Sequence, residues 1–149
     1  TSDDEGYYVI GNVPAGTHQI FPDPAAAAPP YYFYPHAREV TKVAGVALTG
    51  VDFEYRTGGQ YTVTVPVRDQ TGAPAPGIAV VLEDMWASMV APKYATSGAN
   101  GNAVFTDVWS RWYNVSASAI APVGYYWRAL NFYVTDSNVT TDPLQLVAE

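Results

Sequence analysis

The sequence predicts an all-β protein, and three observations carry that prediction. Apolar and polar residues alternate over short runs, turn signals separate the runs, and no window shows a helical period. Residues 62–67 read Thr-Val-Thr-Val-Pro-Val, residues 103–108 Ala-Val-Phe-Thr-Asp-Val, and residues 113–119 Tyr-Asn-Val-Ser-Ala-Ser-Ala. A period of two sends every second side chain to one face, which is the mark of a half-buried strand. Between the runs lie Thr57-Gly-Gly59, Asp69-Gln-Thr-Gly72 and Gly98-Ala-Asn-Gly101, all turn-forming clusters. The 12 Gly and 12 Pro of the 149 residues punctuate strands and would break helices.

Composition narrows the function classes. A hydrophobic content of 48% can build a core. Charged residues make up only 14%, against about a quarter in ordinary globular chains. Much of the surface is therefore Ser, Thr, Asn, Gly and aromatic, which suits adhesion, packing into an assembly, or glycosylation. The net charge is −7, and the seven Lys and Arg are scattered singly. Phosphate backbones and anionic lipid surfaces both demand clustered cations, so neither is an expected partner. With no Cys, disulfides, thiolate zinc sites and cysteine nucleophiles drop out together. No apolar run reaches the length of a membrane span, so direct membrane insertion is not expected. No signal peptide opens the chain. It begins inside a motif, so Thr1 is expected to be a cut or processed start.

The chain repeats itself, and the repeat predicts the layout. At a shift of 95, Thr1, Ser2, Gly6, Val9 and Val13 fall on Thr96, Ser97, Gly101, Val104 and Val108, and Asn12 falls on Asp107. At a shift of 94, Tyr31-Tyr32 falls on Tyr125-Tyr126; at 93, Val51 and Phe53 fall on Leu144 and Leu146. Residues 60–95 resemble nothing before Thr1. The expected organisation is a C-terminal half of a first β-sandwich module over 1–56, a linker over 57–60, and a complete second module over 61–149. The missing strands of the first module would come from upstream or in trans from a neighbour. Tyr8, Ile10 and Val13 are expected to face one core, and Ala103, Phe105 and Val108 the other.

Gly6-Tyr-Tyr-Val-Ile-Gly-Asn-Val-Pro-Ala-Gly-Thr-His18, Val46-Ala-Leu-Thr-Gly-Val-Asp-Phe-Glu-Tyr55 and Val65-Pro-Val-Arg-Asp-Gln-Thr-Gly-Ala-Pro-Ala-Pro-Gly-Ile-Ala-Val80 carry a family resemblance. They resemble carboxypeptidase regulatory-like domains, a transthyretin-like sandwich family, and are similar to the B-type repeats of collagen-binding surface proteins. The resemblance covers nearly the whole chain. It implies tandem immunoglobulin-like or transthyretin-like sandwiches, the first lacking its N-terminal strands. It is specific for fold and weak for function, because such modules are appended to many proteins. The sequence departs from the pattern at His18, where the family usually has Tyr. It departs again at Trp109-Ser-Arg-Trp112, which replaces the Pro-Ala-Gly corner seen at Pro14-Ala-Gly16. Some B-type repeats carry an internal Lys–Asn isopeptide bond. The first strand of the second module has Arg68 but no Lys, and Lys93 lies in another segment, so that cross-link is not expected.

Candidate sites are sparse. Asp3-Asp4-Glu5 reads as a solvated turn rather than a calcium loop. His18 and His36 have no third ligand in view, where a zinc site wants three or four. Ser88, Ser110 and Ser137 lie outside any Gly-x-Ser-x-Gly signature. No cofactor is expected, and the chain is expected not to be an enzyme. The aromatics stand out instead. Tyr31-Tyr32-Phe33-Tyr34 forms a run of four, and Trp86, Trp109, Trp112 and Trp127 decorate the second module. In the 112–119 strand, Tyr113 and Val115 share the core face, so Trp112 and Asn114 are expected to face outward. Trp109, Trp112, Trp127, Tyr31, Tyr32 and Tyr34 are the expected contact surface. Asn114-Val-Ser116 and Asn138-Val-Thr140 match the N-glycosylation pattern, making Asn114 and Asn138 candidate acceptors.

Together these features predict a secreted, cell-surface structural protein or filament subunit. It would self-associate into a homopolymer through strand complementation and aromatic interfaces. The alternative is a carbohydrate-binding or accessory module of a larger secreted protein, with glycans as partners.

Overall fold

The computed structural model of the chain describes residues 2–23, 29–85 and 90–149. The strands are β1 (Gly16–Ile20), β2 (Tyr31–Tyr34), β3 (Arg38–Lys42), β4 (Glu54–Thr57), β5 (Gln60–Arg68), β6 (Ala79–Asp84) and β7 (Lys93–Thr96). They continue with β8 (Asn102–Trp109), β9 (Trp112–Ala117), β10 (Tyr125–Trp127), β11 (Leu130–Tyr133), β12 (Val139–Thr140) and β13 (Leu144–Ala148). The described residues contain no helix, so the all-β prediction holds. The chain divides into two compact units, Thr1–Pro22 with Phe33–Glu54, and Asp23–Tyr32 with Tyr55–Glu149.

The larger unit is a two-sheet sandwich. In one sheet β5 carries β8 along one edge and both β12 and β13 along the other, with β10 outside β13. The other sheet runs β11-β9-β6-β7. In the first sheet β5 is central: it is antiparallel to β8 and parallel to both β12 and β13. Its alternation explains that place. Val63, Val65 and Val67 are all fully buried, and their β-branched side chains suit a pleated, packed surface. Across the core they meet Val80, Leu82, Tyr113 and Val115 from β6 and β9.

In β8 the core residues are Ala103, Phe105 and Val108, a spacing of two and then three. The extra residue is a bulge. Tyr61 and Val63 of β5 are two apart, yet they face Val108 and Phe105 of β8, three apart. Asp107 supplies the left-handed turn at φ 56°, which returns Val108 to the core. Asp is one of the few non-glycine residues that tolerates that conformation. Gly72 (φ 83°) and Gly77 (φ 78°) take up the left-handed region in the turns after β5, as their positions in the sequence suggested.

The smaller unit pairs β1 with β3, from Gly16 opposite Lys42 to Ile20 opposite Arg38. Its loops are pinned by side chains on backbone: Arg38 Nε donates to Asp52 O at 2.9 Å and Lys42 Nζ to Val43 O at 2.7 Å. β2 pairs with β4 in a further two-stranded sheet. Residues 57–60 close β4 and open β5.

The 95-residue repeat is visible in the backbone itself. Gly6 N donates to Asp3 O and Asp3 N to Tyr7 O; Gly101 N donates to Gly98 O and Gly98 N to Asn102 O. Both turns use Gly at positive φ, 88° at Gly6 and 73° at Gly101. The two left-handed non-glycine residues among those described are Asn12 (φ 59°) and Asp107 (φ 56°), again 95 apart. Downstream, the β1–β3 pairing corresponds to β9–β11, and β2–β4 to β10–β13.

Beyond the shared turn the two segments diverge. Residues 102–109 form β8 against β5, whereas residues 7–13 form no strand. The expectation that Tyr8, Ile10 and Val13 face a core is corrected: Ile10 is 54% exposed, Tyr8 36%, and Val13 half-buried. None of the described residues in 2–22 and 33–54 is buried. The cause is a missing neighbour, since the described residues of this unit contain no counterpart of β5.

Candidate functional site

The aromatic residues singled out in the sequence fall into two groups. Tyr31 and Tyr34 are exposed at the ends of β2, and Tyr31 stacks on Tyr55 of β4 with centroids 5.1 Å apart and planes 15° from parallel. Tyr32, between them, is buried. Its ring lies close to Gly58, where an added Cβ would sit 3.1 Å from it and 3.1 Å from Ser110 Oγ. The indoles are less open than expected. Trp109, Trp112 and Trp127 are all half-buried. Trp112 meets Tyr133 edge-on at 5.5 Å. Trp127 packs against the main core. Its Nε1 is buried with no hydrogen-bond partner among the described residues. Tyr113 and Val115 face the core as the alternation predicted. Trp86 and Ser88 lie outside the described residues.

The replaced corner, Trp109-Ser-Arg-Trp112, is a structural joint. The Ser110 hydroxyl donates to Thr135 O, and Val134 N donates to Arg111 O at 2.9 Å. Arg111 turns inward and places Nε 2.9 Å from Asp84 Oδ2, with the two side chains 5% and 1% exposed. Sequence reasoning missed this pair. The one signal was an Arg standing where the first module has Gly16. Around it, burial pushes the Tyr113 phenol well above its ordinary value, helped by the Asp84 carboxylate. Burial and the neighbouring Tyr32 push Tyr133 up to about 12. Both phenols therefore stay neutral at any physiological pH.

The sequon residues differ in their surroundings. Asn114 Nδ2 donates to Asn131 Oδ1 at 2.7 Å, across the β9–β11 pair. Both line a shallow groove with Asp84, Met85 and Pro92. Asn138 Oδ1 accepts from Thr62 N at 2.9 Å and helps seat β12 on β5. Among the other candidates, Asp3 Oδ1 accepts from Glu5 N and Tyr7 N at 3.1 and 2.8 Å, so this carboxylate ties its own turn. His18 Nε2 lies 3.0 Å from Pro14 O. Burial lowers the His36 imidazole below its usual value. Among the described residues, no three His, Cys, Asp or Glu cluster as metal ligands.

The least satisfied region is residues 6–13 with 43–53. Tyr7, Val9, Ile10, Val43, Val46 and Leu48 are all exposed. An added Cβ on Gly101 would stand 2.8 Å from Val67 O and Arg68 Nη1, because β5 runs against it; at Gly6 nothing lies within 4 Å. Where β5 would lie, the Tyr8 hydroxyl instead reaches over to donate to Val51 O, and the Tyr8 ring tilts against Phe53.

No protein-family model and no curated protein matches the chain. Among solved structures, the full-length major pilin SpaD of Corynebacterium diphtheriae aligns with 60% of this chain and 30% of its own, at 18% identity and a TM-score of 0.44. The Bacillus anthracis TIE protein aligns with 75% of this chain and 20% of its own, at 12% identity and a TM-score of 0.49. The minor pilin of Streptococcus agalactiae aligns with 99% of this chain and 66% of its own, at 10% identity and a TM-score of 0.47. The chain spans less than a third of the first two.

Proposed function

We propose that the chain is a non-enzymatic structural module of an extracellular, cell-surface assembly, joined to its neighbours through the incomplete first unit. One observation carries this reading. A backbone that repeats the second module, down to the turn hydrogen bonds at Gly6 and Gly101, leaves its apolar residues outside. Ile10 is 54% exposed where its counterpart Phe105 is 2% exposed. An exposed apolar edge of this kind is costly in isolation and marks an interaction site. Head-to-tail filling of such an edge builds open filaments when the rotation between neighbours does not close. The location outside the cell rests on the resemblance to B-type repeats of surface proteins.

The test is electron microscopy of native material together with the intact mass of its subunit. Filaments or linear oligomers, retained at the cell surface and released by protease shaving, are the expected result. Monomers recovered from the cell interior would sink the proposal.

A further inference from the structure

We infer that the outward face of the β11-β9-β6-β7 sheet binds a neutral oligosaccharide, held by Glu83, Asn114 and Asn131 and flanked by Tyr94 and Trp112. The site lies wholly within the larger unit, and the inference is independent of the assembly reading above.

Strand register builds the site. Val80, Leu82, Tyr113 and Val115 point into the core, so Val81, Glu83, Trp112, Asn114 and Ser116 take the opposite face. Glu83 stands opposite Asn114, and Asn114 opposite Asn131. The three form one polar row across β6, β9 and β11, about 10 Å from end to end at the usual strand spacing. Met85 and Pro92 wall the row at the β6 end, and the groove has a volume of about 540 Å³. Small-ligand sites span roughly 300–1,000 Å³.

The row presents a defined hydrogen-bonding pattern. Asn114 Nδ2 donates to Asn131 Oδ1 at 2.7 Å, which orients both amides. Asn114 Oδ1 is left as an acceptor and Asn131 Nδ2 as a donor, side by side. A hydroxyl both donates and accepts, so adjacent sugar hydroxyls match that pair. The Glu83 carboxylate accepts from a further hydroxyl.

Aromatic rings bracket the row. Trp112 and Tyr133 lie opposite each other on one side of it. On the other side Tyr94, 76% exposed, stands opposite Val81. Sugar rings carry apolar C–H faces, which pack on Tyr and Trp while their hydroxyls turn to polar neighbours.

Charge and backbone narrow the occupant. The buried Asp84 carboxylate beside the groove is matched by Arg111, whereas Glu83 has no ion-pair partner among the described residues. That single acid disfavours glycans bearing phosphate, sulfate or carboxylate and leaves an uncharged one favoured. β9 pairs with β11 and β6, and β6 with β9 and β7. The backbone under the row is therefore already paired, and recognition falls to the side chains.

The probes are neutral tetrasaccharides of glucose, galactose, mannose and N-acetylglucosamine. Each is titrated into the full chain while the side-chain amide signals of Asn114 and Asn131 are followed by NMR. At least one is expected to shift both signals saturably, with an affinity insensitive to salt. Asn131→Asp keeps the acceptor for Asn114 Nδ2 but removes the donor. It should weaken binding about tenfold, the scale of one lost hydrogen bond, read on the Asn114 signal. Tyr94→Ala should weaken it several-fold. Thr64→Ala, on the outward face of the other sheet, should leave it unchanged.

Four results would overturn the site. The first is no saturable shift with any of the four sugars, and the second is equal weakening by Thr64→Ala and Asn131→Asp. The third is a preference for tetralysine that Asn131→Asp strengthens and high salt abolishes, which makes the face a cation site. The fourth is a native subunit with a glycan covalently attached to Asn114, which makes the groove an attachment point instead.

Discussion

Residues 3–20 and 98–115 are the same construction in two surroundings. They share the turn hydrogen bonds, the glycine at positive φ and the left-handed polar residue two positions after the middle apolar one. Yet Phe105 is 2% exposed and Ile10, its counterpart, is 54% exposed. The difference lies outside both segments, in a strand one of them has and the other lacks. Local sequence sets turns and alternation, while burial is a property of the neighbour. Here the turn and the left-handed residue keep their local form, whereas residues 7–13, with no counterpart of β5 beside them among the described residues, form no strand.

The comparison can be broken most forcefully at its centre. Phe105→Ala should cost about 3–5 kcal/mol through lost contacts and a cavity, read from urea unfolding of the second unit. Ile10→Ala should stay within about 0.5 kcal/mol. Similar losses from the two would mean that the first unit has a core after all. Next is the buried pair, which has no charged equivalent because Gly16 stands opposite Arg111 in the repeat. Arg111→Met strands the Asp84 carboxylate and should cost about 3–5 kcal/mol, whereas Arg111→Met with Asp84→Leu should recover most of that loss. A double variant no better than the single one would show that the pair acts through more than its charge.

A smaller effect is expected at the left-handed residues. Asp107→Ala forces a Cβ-restricted residue into that conformation at about 1–2 kcal/mol, and Asn12→Ala should leave the cooperative transition unmoved. Smallest at ordinary pH is the phenol contribution. The Tyr133 pKa is raised to about 12 in the folded state, against about 10 unfolded. The stability linked to it is fully present below pH 10 and is lost as pH rises through 12. In a tyrosinate absorbance titration, Tyr133 and Tyr113 should ionise above the ordinary phenol range. Tyr133→Phe should shift the alkaline unfolding midpoint upward.

How legible each feature is in the sequence depends on how local it is. The core faces of β5 and β9 could be read because period-two alternation at Val63-Val65-Val67 and Tyr113-Val115 needs only a strand and one covered side. The β8 faces were legible too, at Ala103, Phe105 and Val108, but the bulge at Asp107 that returns Val108 to the core was not. Ile10 misled because alternation signals which side is apolar and is silent on whether anything covers it. Trp112 was expected to face outward by the same alternation. It is half-buried there, because Tyr133 of β11 stands directly opposite it and meets the indole edge-on. The Asp84–Arg111 pair was invisible, since an Arg in a corner between strands reads as solvated until the fold places Asp84, 27 residues earlier, at its tip.

The parallel pairing of β5 with β13 has a mechanical consequence. These are the first and last strands of the second sandwich, and they lie side by side with Leu144 opposite Val67 and Gln145 opposite Arg68. Pull on Gln60 from one direction and on Ala148 from the other, and the two strands slide along each other instead of peeling apart. Their hydrogen bonds, evenly spaced in a parallel ladder, then share the load at the same moment, joined by the Val139–Thr140 bridge to Val63 and Thr64. A unit tethered at those two points resists tension as a lap joint does, with its strength set by the whole seam.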